Sequence, residues 1–161
     1  MRKLLSLGLA AVMVTVLVVA ASALATGSVS RSGKRTKVVR VSTRKLPKLG
    51  TVLVNSKGLT LYMFVPDKRT KVTCKGTCAA VWPPVKLPKG AKPLAAGKAK
   101  SRLLGSDPNP AGGRVVTYNR WPLYTYVADS APGQAKGQAL KLNGGLWYVL
   151  APSGKVIHRK P

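Results

Sequence analysis

Apolar positions gather in two stretches of this 161-residue chain, and in both they sit next to one another as well as alternating with polar ones. The first, LGTVLVNSKGLTLYMFVPD, runs from Leu49 to Asp67: a β-branched run, the turn Asn55-Ser56-Lys57-Gly58, then a second apolar run. Two such runs around a Gly-ended turn predict a β-hairpin. The second stretch, GGRVVTYNRWPLYTYVADS, repeats the arrangement: Arg114 to Tyr118, a turn at Asn119-Arg120, then a strand from Leu123 to Ala128. Pro122 falls at the start of that strand, where a missing backbone donor costs least.

Laid over one another, the stretches share Leu-Tyr-x-aromatic-Val-x-Asp. Leu61, Tyr62, Phe64, Val65 and Asp67 answer to Leu123, Tyr124, Tyr126, Val127 and Asp129, and a Trp follows each copy, at Trp82 and Trp147. The chain is therefore an internal duplication. In the first copy Leu61, Met63 and Val65 form one apolar face, and Tyr62 and Phe64 the other. A strand buried on both faces belongs in the middle of a sandwich or barrel. A unit of about 50 residues is marginal alone, whereas about 110 residues can enclose one core. The predicted fold is all-β: a tandem repeat of two hairpin-containing units packed as one small sandwich- or barrel-like domain over 48–157. Repeat one spans 48–85, an exposed connector 86–102, repeat two 103–157, and a tail 158–161.

The ends of the chain have a different composition. Arg2 and Lys3 lead into an apolar run from Leu4 to Ala20, closed by Ala23-Leu24-Ala25. This is the three-part form of a secretory signal peptide over 1–25, with an A-x-A-like cleavage site. Retained, the run is long enough to anchor in a bilayer. No cysteine stands near it to accept a lipid. Residues 26–47 are rich in Ser, Thr, Lys and Arg, which predicts a flexible basic linker.

Charge narrows the choice of partners. The chain holds 28 Lys and Arg against 3 Asp and Glu, a net charge of +25. Such a field draws polyanions, and salt screens it. For an exported protein these are anionic wall polymers, membrane headgroups and extracellular nucleic acid. No nucleic-acid-binding signature accompanies the charge, so nucleic-acid binding would be non-specific.

The inventory for catalysis is thin: the chain has no Glu, its sole His is His158 in the tail, and no Ser sits in a nucleophile elbow. Asp67 and Asp129 each precede turn-like residues, so each carboxylate is expected to accept backbone N–H bonds there. A glycosidase pair would need the two carboxylates a few ångströms apart, and a calcium site more carboxylates than the chain owns. Cys74 and Cys78, in CKGTC, predict a disulfide closing a short loop. Their spacing fits neither a redox C-x-x-C nor haem attachment, and two thiolates alone under-ligand a metal. Trp82, Trp121 and Trp147, with the motif aromatics, are expected to pack a core, their polar tips finding partners. A stacking platform for sugars or bases and a Tyr/Trp electron relay are the sharper alternatives.

KGLTLYMFVPD, CKGTCAAVWPP, TYNRWPLYTYVADSAPGQAKGQ and WYVLAPSG occur in this order across residues 50–154. In these motifs the chain resembles exported bacterial proteins, many of them lipoproteins, described as a secreted repeat of unknown function with a Tyr-x-aromatic-x-x-Asp motif. The motif falls on Tyr62, Phe64 and Asp67 and again on Tyr124, Tyr126 and Asp129. The resemblance implies a β-rich exported protein and no particular activity. The missing lipid-accepting cysteine and the strong positive charge depart from the pattern. The expected function is a non-enzymatic binding or structural module of the cell envelope, with affinity for anionic polymers and no assigned cofactor, metal or small-molecule ligand. A redox or metal accessory role and extracellular nucleic-acid binding are the alternatives.

Overall fold

Val39 and Val41 alternate with Arg40 and Ser42, and this period of two places the first strand inside the basic stretch. The computed structural model describes residues 36–69 and 71–161. The signal peptide read at 1–25 and the start of the basic stretch lie outside the described residues. In chain order the elements are β1 (Val38–Leu46), β2 (Gly50–Asn55), β3 (Tyr62–Phe64), α1 (Thr77–Val81), β4 (Lys86–Leu87), β5 (Lys92–Ala95), β6 (Leu104–Pro108), β7 (Arg114–Tyr118), β8 (Trp121–Pro122), β9 (Leu140–Leu142) and β10 (Gly145–Val149). Among the described residues no helix is long and apolar enough to cross a membrane.

The fold is all-β, with three small sheets and no closed barrel. One sheet has the order β2-β1-β5, with β1 antiparallel to β2 and parallel to β5. The second has the order β3-β10-β9, all antiparallel, and joins the two repeats through the pairs Phe64–Trp147 and Tyr62–Val149. In the third, β7 takes β6 on one edge and both β4 and β8 on the other.

Alternate residues of the central strands feed two cores. Val52, Val54, Tyr62, Phe64, Trp147 and Val149 enter one. Leu53, Leu61, Met63, Val116, Leu123 and Leu150 enter the other. Strands apolar on both faces thus have a hydrophobic cluster on each, as their composition predicts.

Four expectations change. Residues 38–46 are no flexible linker: β-branched Val and Thr suit a pleated strand, and Val41 is fully buried. The connector 86–102 is not simply exposed, because it contributes β4, β5 and a 3₁₀ turn at Ser101–Leu103. The run from Leu123 to Ala128 is no regular strand; Tyr124 alone bridges, to Tyr62 and to Pro84. Val65 and Val127 leave the apolar faces, at 40% and 58% exposed. The chain has already turned there, into a 3₁₀ helix at Val65–Asp67 with Pro66 at its start and into a turn at Val127-Ala128.

Candidate functional site

The two copies of the motif meet backbone to backbone at their tyrosines. The Tyr62 N–H donates to the Tyr124 carbonyl and the Tyr124 N–H to the Tyr62 carbonyl, both at 2.9 Å. This reciprocal bridge relates the copies by an approximate two-fold. Across it the side chains pair crosswise. The Tyr62 hydroxyl donates to Asp129 Oδ2 at 2.5 Å, and the Tyr124 hydroxyl donates to Asp67 Oδ2 at 2.7 Å.

The second oxygen of each carboxylate serves its own repeat. Asp67 Oδ1 accepts from the Thr73 N–H at 2.8 Å and the Thr73 hydroxyl at 2.6 Å. Asp129 Oδ1 accepts from the Lys136 N–H at 2.9 Å. Each Asp therefore closes the loop that follows it in its own repeat and fastens the tyrosine of the other copy. The backbone bonds follow from Asp before turn-like residues; the crossed phenol bonds do not. A buried carboxylate needs such partners, because an unsatisfied one is strongly penalised.

The tryptophans complete the two-fold. Phe64, Trp147, Trp82 and Tyr126 stack in that order, with ring centroids 4.1, 3.9 and 4.1 Å apart, and the two indoles lie within 4° of parallel. Tyr62 meets Trp82 edge-on at 5.4 Å, and Tyr124 meets Trp147 edge-on at 5.2 Å. Both indole N–H groups donate into one turn: Trp82 Nε1 to Asn143 Oδ1 and Trp147 Nε1 to the Leu142 carbonyl. Trp82, Trp147, Tyr62 and Tyr124 are fully buried. The indole faces are covered by each other, by Phe64 and by Tyr126, so they offer no platform to an external sugar or base.

Burial pushes the hydroxyls of Tyr62 and Tyr124 far above the usual phenol range, and the neighbouring carboxylates push them further. Burial also raises Asp67, against the opposing effect of its bonds from Thr73 and Tyr124. The phenols keep their protons, and every carboxylate oxygen of the pair already accepts a hydrogen bond. What this arrangement does chemically is to hold two repeats together. Among the described residues no three His, Cys, Asp or Glu side chains gather at one place.

Cys74 and Cys78 form a disulfide just before Trp82. Trp121 stands apart from the stack, partly buried against the other core. It lies under the Arg69 guanidinium, whose carbon is 5.9 Å from the ring centre. Arg69 also donates to the Asn119 carbonyl, so a residue of repeat one clasps the β7–β8 turn of repeat two. Two glycines, Gly137 and Gly145, lie with their backbone against the rings of this centre. A Cβ on Gly137 would stand 2.6 Å from the Trp82 ring, and one on Gly145 would stand 2.5 Å from Pro66 and 2.7 Å from the Phe64 ring. They are glycine because side-chain rings, of Trp82 for one and of Pro66 and Phe64 for the other, lie on their backbone. Gln138 was missed in the sequence: its amide closes the end of the chain, donating to the Ile157 and Arg159 carbonyls and accepting from the Val149 N–H.

The third acidic residue, Asp107, is half-buried, with Oδ2 enclosed and without a hydrogen-bond partner. Burial raises it, opposed by Arg114 and Arg120 nearby. All three carboxylate side chains of the chain are thus drawn inward.

The family described as a secreted repeat of unknown function matches residues 43–86 and 108–151, which is more than half of the chain and one match per repeat. No curated protein and no solved structure matches the chain.

Proposed function

The chain belongs to the family of secreted repeats of unknown function, and from that premise we propose that it works outside the cytoplasm as a non-enzymatic module that holds anionic polymers of the cell envelope. One observation carries this reading: the fold takes its negative side chains inside and, among the described residues, leaves its positive ones outside. Asp67 and Asp129 are 0% and 3% exposed, and Asp107 is half-buried. Against these three the chain carries 28 Lys and Arg. Most proteins intersperse charges of both signs on their surfaces. Here the field is cationic throughout, which raises the local concentration of polyanions and is weakened by salt.

The buried Tyr–Asp and Trp centre then has a supporting role: it locks two marginal repeats into one scaffold that carries the charge. Both cysteines are in the disulfide, so neither is free to take a lipid, and in this reading charge retains the exported chain at the envelope.

The test is retention of the exported chain on purified anionic wall material and on anionic vesicles, with neutral vesicles as reference. Retention on the anionic surfaces, released by raising salt, is expected. The variant Asp67→Asn with Asp129→Asn should be less stable yet retained equally well at temperatures where it is folded. Retention indifferent to salt, or lost in that folded variant, would overturn the reading.

A further inference from the structure

The outer face of β1 carries Arg40, Ser42 and Arg44 at alternate positions, while Val41 points into the core. Arg40 and Arg44 are exposed and stand about 13 Å apart along the strand. Across from them the turn after β2 brings up Asn55, Ser56 and Lys57, and the two rims enclose an open groove.

The rims are held in place. Asn55 Oδ1 accepts from the Lys57 N–H at 2.9 Å and the Leu59 N–H at 3.0 Å, which closes the turn and fixes Lys57 at its tip. Arg44 lies against the bare backbone of Gly58: a Cβ there would stand 3.3 Å from Arg44 Nη2 and equally close to Pro132. Gly58 also has φ +77°, which glycine adopts without strain. The long Arg44 side chain therefore has a surface to rest on, and less of its freedom remains to be lost on binding.

The lining is selective in chemistry. It has three cations, small hydroxyl and amide groups, and neither a carboxylate nor an aromatic ring. Guanidinium forks match phosphate oxygens in pairs. Hydroxyls and amides match the hydroxyls of a polyol or sugar. Nucleic-acid bases would find no ring on which to stack, although stacking supplies much of single-strand affinity.

We propose that the groove between β1 and the Asn55–Gly58 turn is the primary binding site for a polyol phosphodiester polymer, with Arg40, Arg44 and Lys57 on separate phosphates and Ser42, Asn55 and Ser56 facing the polyol between them. This rests on the polyanion-binding reading and names the place and the ligand class.

The experiment measures binding of end-labelled poly(glycerol phosphate) to the purified exported chain by fluorescence anisotropy over a range of salt. Single-stranded DNA of equal charge runs in parallel. The groove variant R40S/R44S/K57S is compared with K89S/K141S/K155S, which removes the same charge from exposed positions elsewhere. The groove variant should lose affinity about tenfold or more, and its slope of log affinity against log salt should fall by about 2, near 0.7 per lost phosphate contact. The control variant should change affinity less than about twofold at the same salt. Equal losses in both variants would overturn the groove while leaving the polyanion reading intact. No binding by the unaltered chain at low salt would overturn that reading itself. DNA bound as tightly as the polyol polymer, and lost with the same three residues, would overturn the ligand class. The variant R40K/R44K keeps the charge and guards against a folding artefact: weakened binding is expected, because Lys cannot make the paired contact, and unchanged affinity would overturn the role of the guanidinium forks.

Discussion

Repeat one and repeat two build the same centre by different routes. In repeat one, Tyr62 and Phe64 lie on a ladder strand, and the chain returns to Trp82 through a disulfide and the short helix α1. In repeat two, Tyr124 makes only isolated bridges, and the chain returns to Trp147 through the hairpin of β9 and β10. Yet Asp67 and Asp129, Tyr62 and Tyr124, and Trp82 and Trp147 occupy matching places about the two-fold. The contacts across the two-fold are shared by both copies, so a change there damages both. The returning segment answers only to its own repeat and is free to use a disulfide in one and a hairpin in the other.

The largest expected effect tests whether the tryptophans act as one body. Trp82→Ala and Trp147→Ala each remove the neighbour of the other indole, so each should cost about 3–5 kcal/mol by denaturant unfolding, with the whole chain unfolding in one step. Separate transitions for the two repeats would break the comparison.

The crossed pairing is tested by double-mutant cycles. Tyr62→Phe leaves Asp129 Oδ2 without the phenol, and Tyr124→Phe does the same to Asp67, at about 1–3 kcal/mol each. Tyr62→Phe should couple with Asp129→Asn by at least about 0.5 kcal/mol and add independently to Asp67→Asn. Coupling within a repeat instead of across would mean that the pairs are not crossed in solution.

The last effect is absent at neutral pH and emerges in alkali. Tyr62 and Tyr124 ionise in the unfolded chain near 10.0 and are held above that value in the fold. The folded state then binds more protons, so stability is complete below about pH 10 and falls as pH rises past it. Phenolate absorbance from these two residues should appear together with unfolding. Asp67 is raised as well, so its contribution is also present at low pH and lost as pH rises through the carboxylate range, and acid does not loosen the fold through this residue. Tyr62 also accepts a bond from the Gly137 N–H, which lowers it slightly.

Much of this was legible in the residues. The duplication, the strands apolar on both faces and the disulfide follow from local pattern and spacing, because each depends on residues near one another in sequence. The strand β1 was legible in principle. Val39, Val41 and Thr43 alternate correctly, but the surrounding Lys, Arg and Ser gave the stretch the composition of a linker. The glycines at 137 and 145 carried no signal of their contacts: neither has a positive φ, and the reason for each lies on rings distant in sequence.

The sequence by itself determined the repeat, the secreted family and the excess of positive charge, since composition and short periodic motifs are properties of the chain. Only the tertiary structure decided that each Asp serves the opposite tyrosine, that the two indoles share one stack, and that all three carboxylates turn inward. These are contacts between residues about 60 positions apart, such as Tyr62 with Asp129 and Tyr124 with Asp67. Two equivalent motifs permit pairing within a repeat or across repeats, and the choice between them rests on how the copies meet at the two-fold.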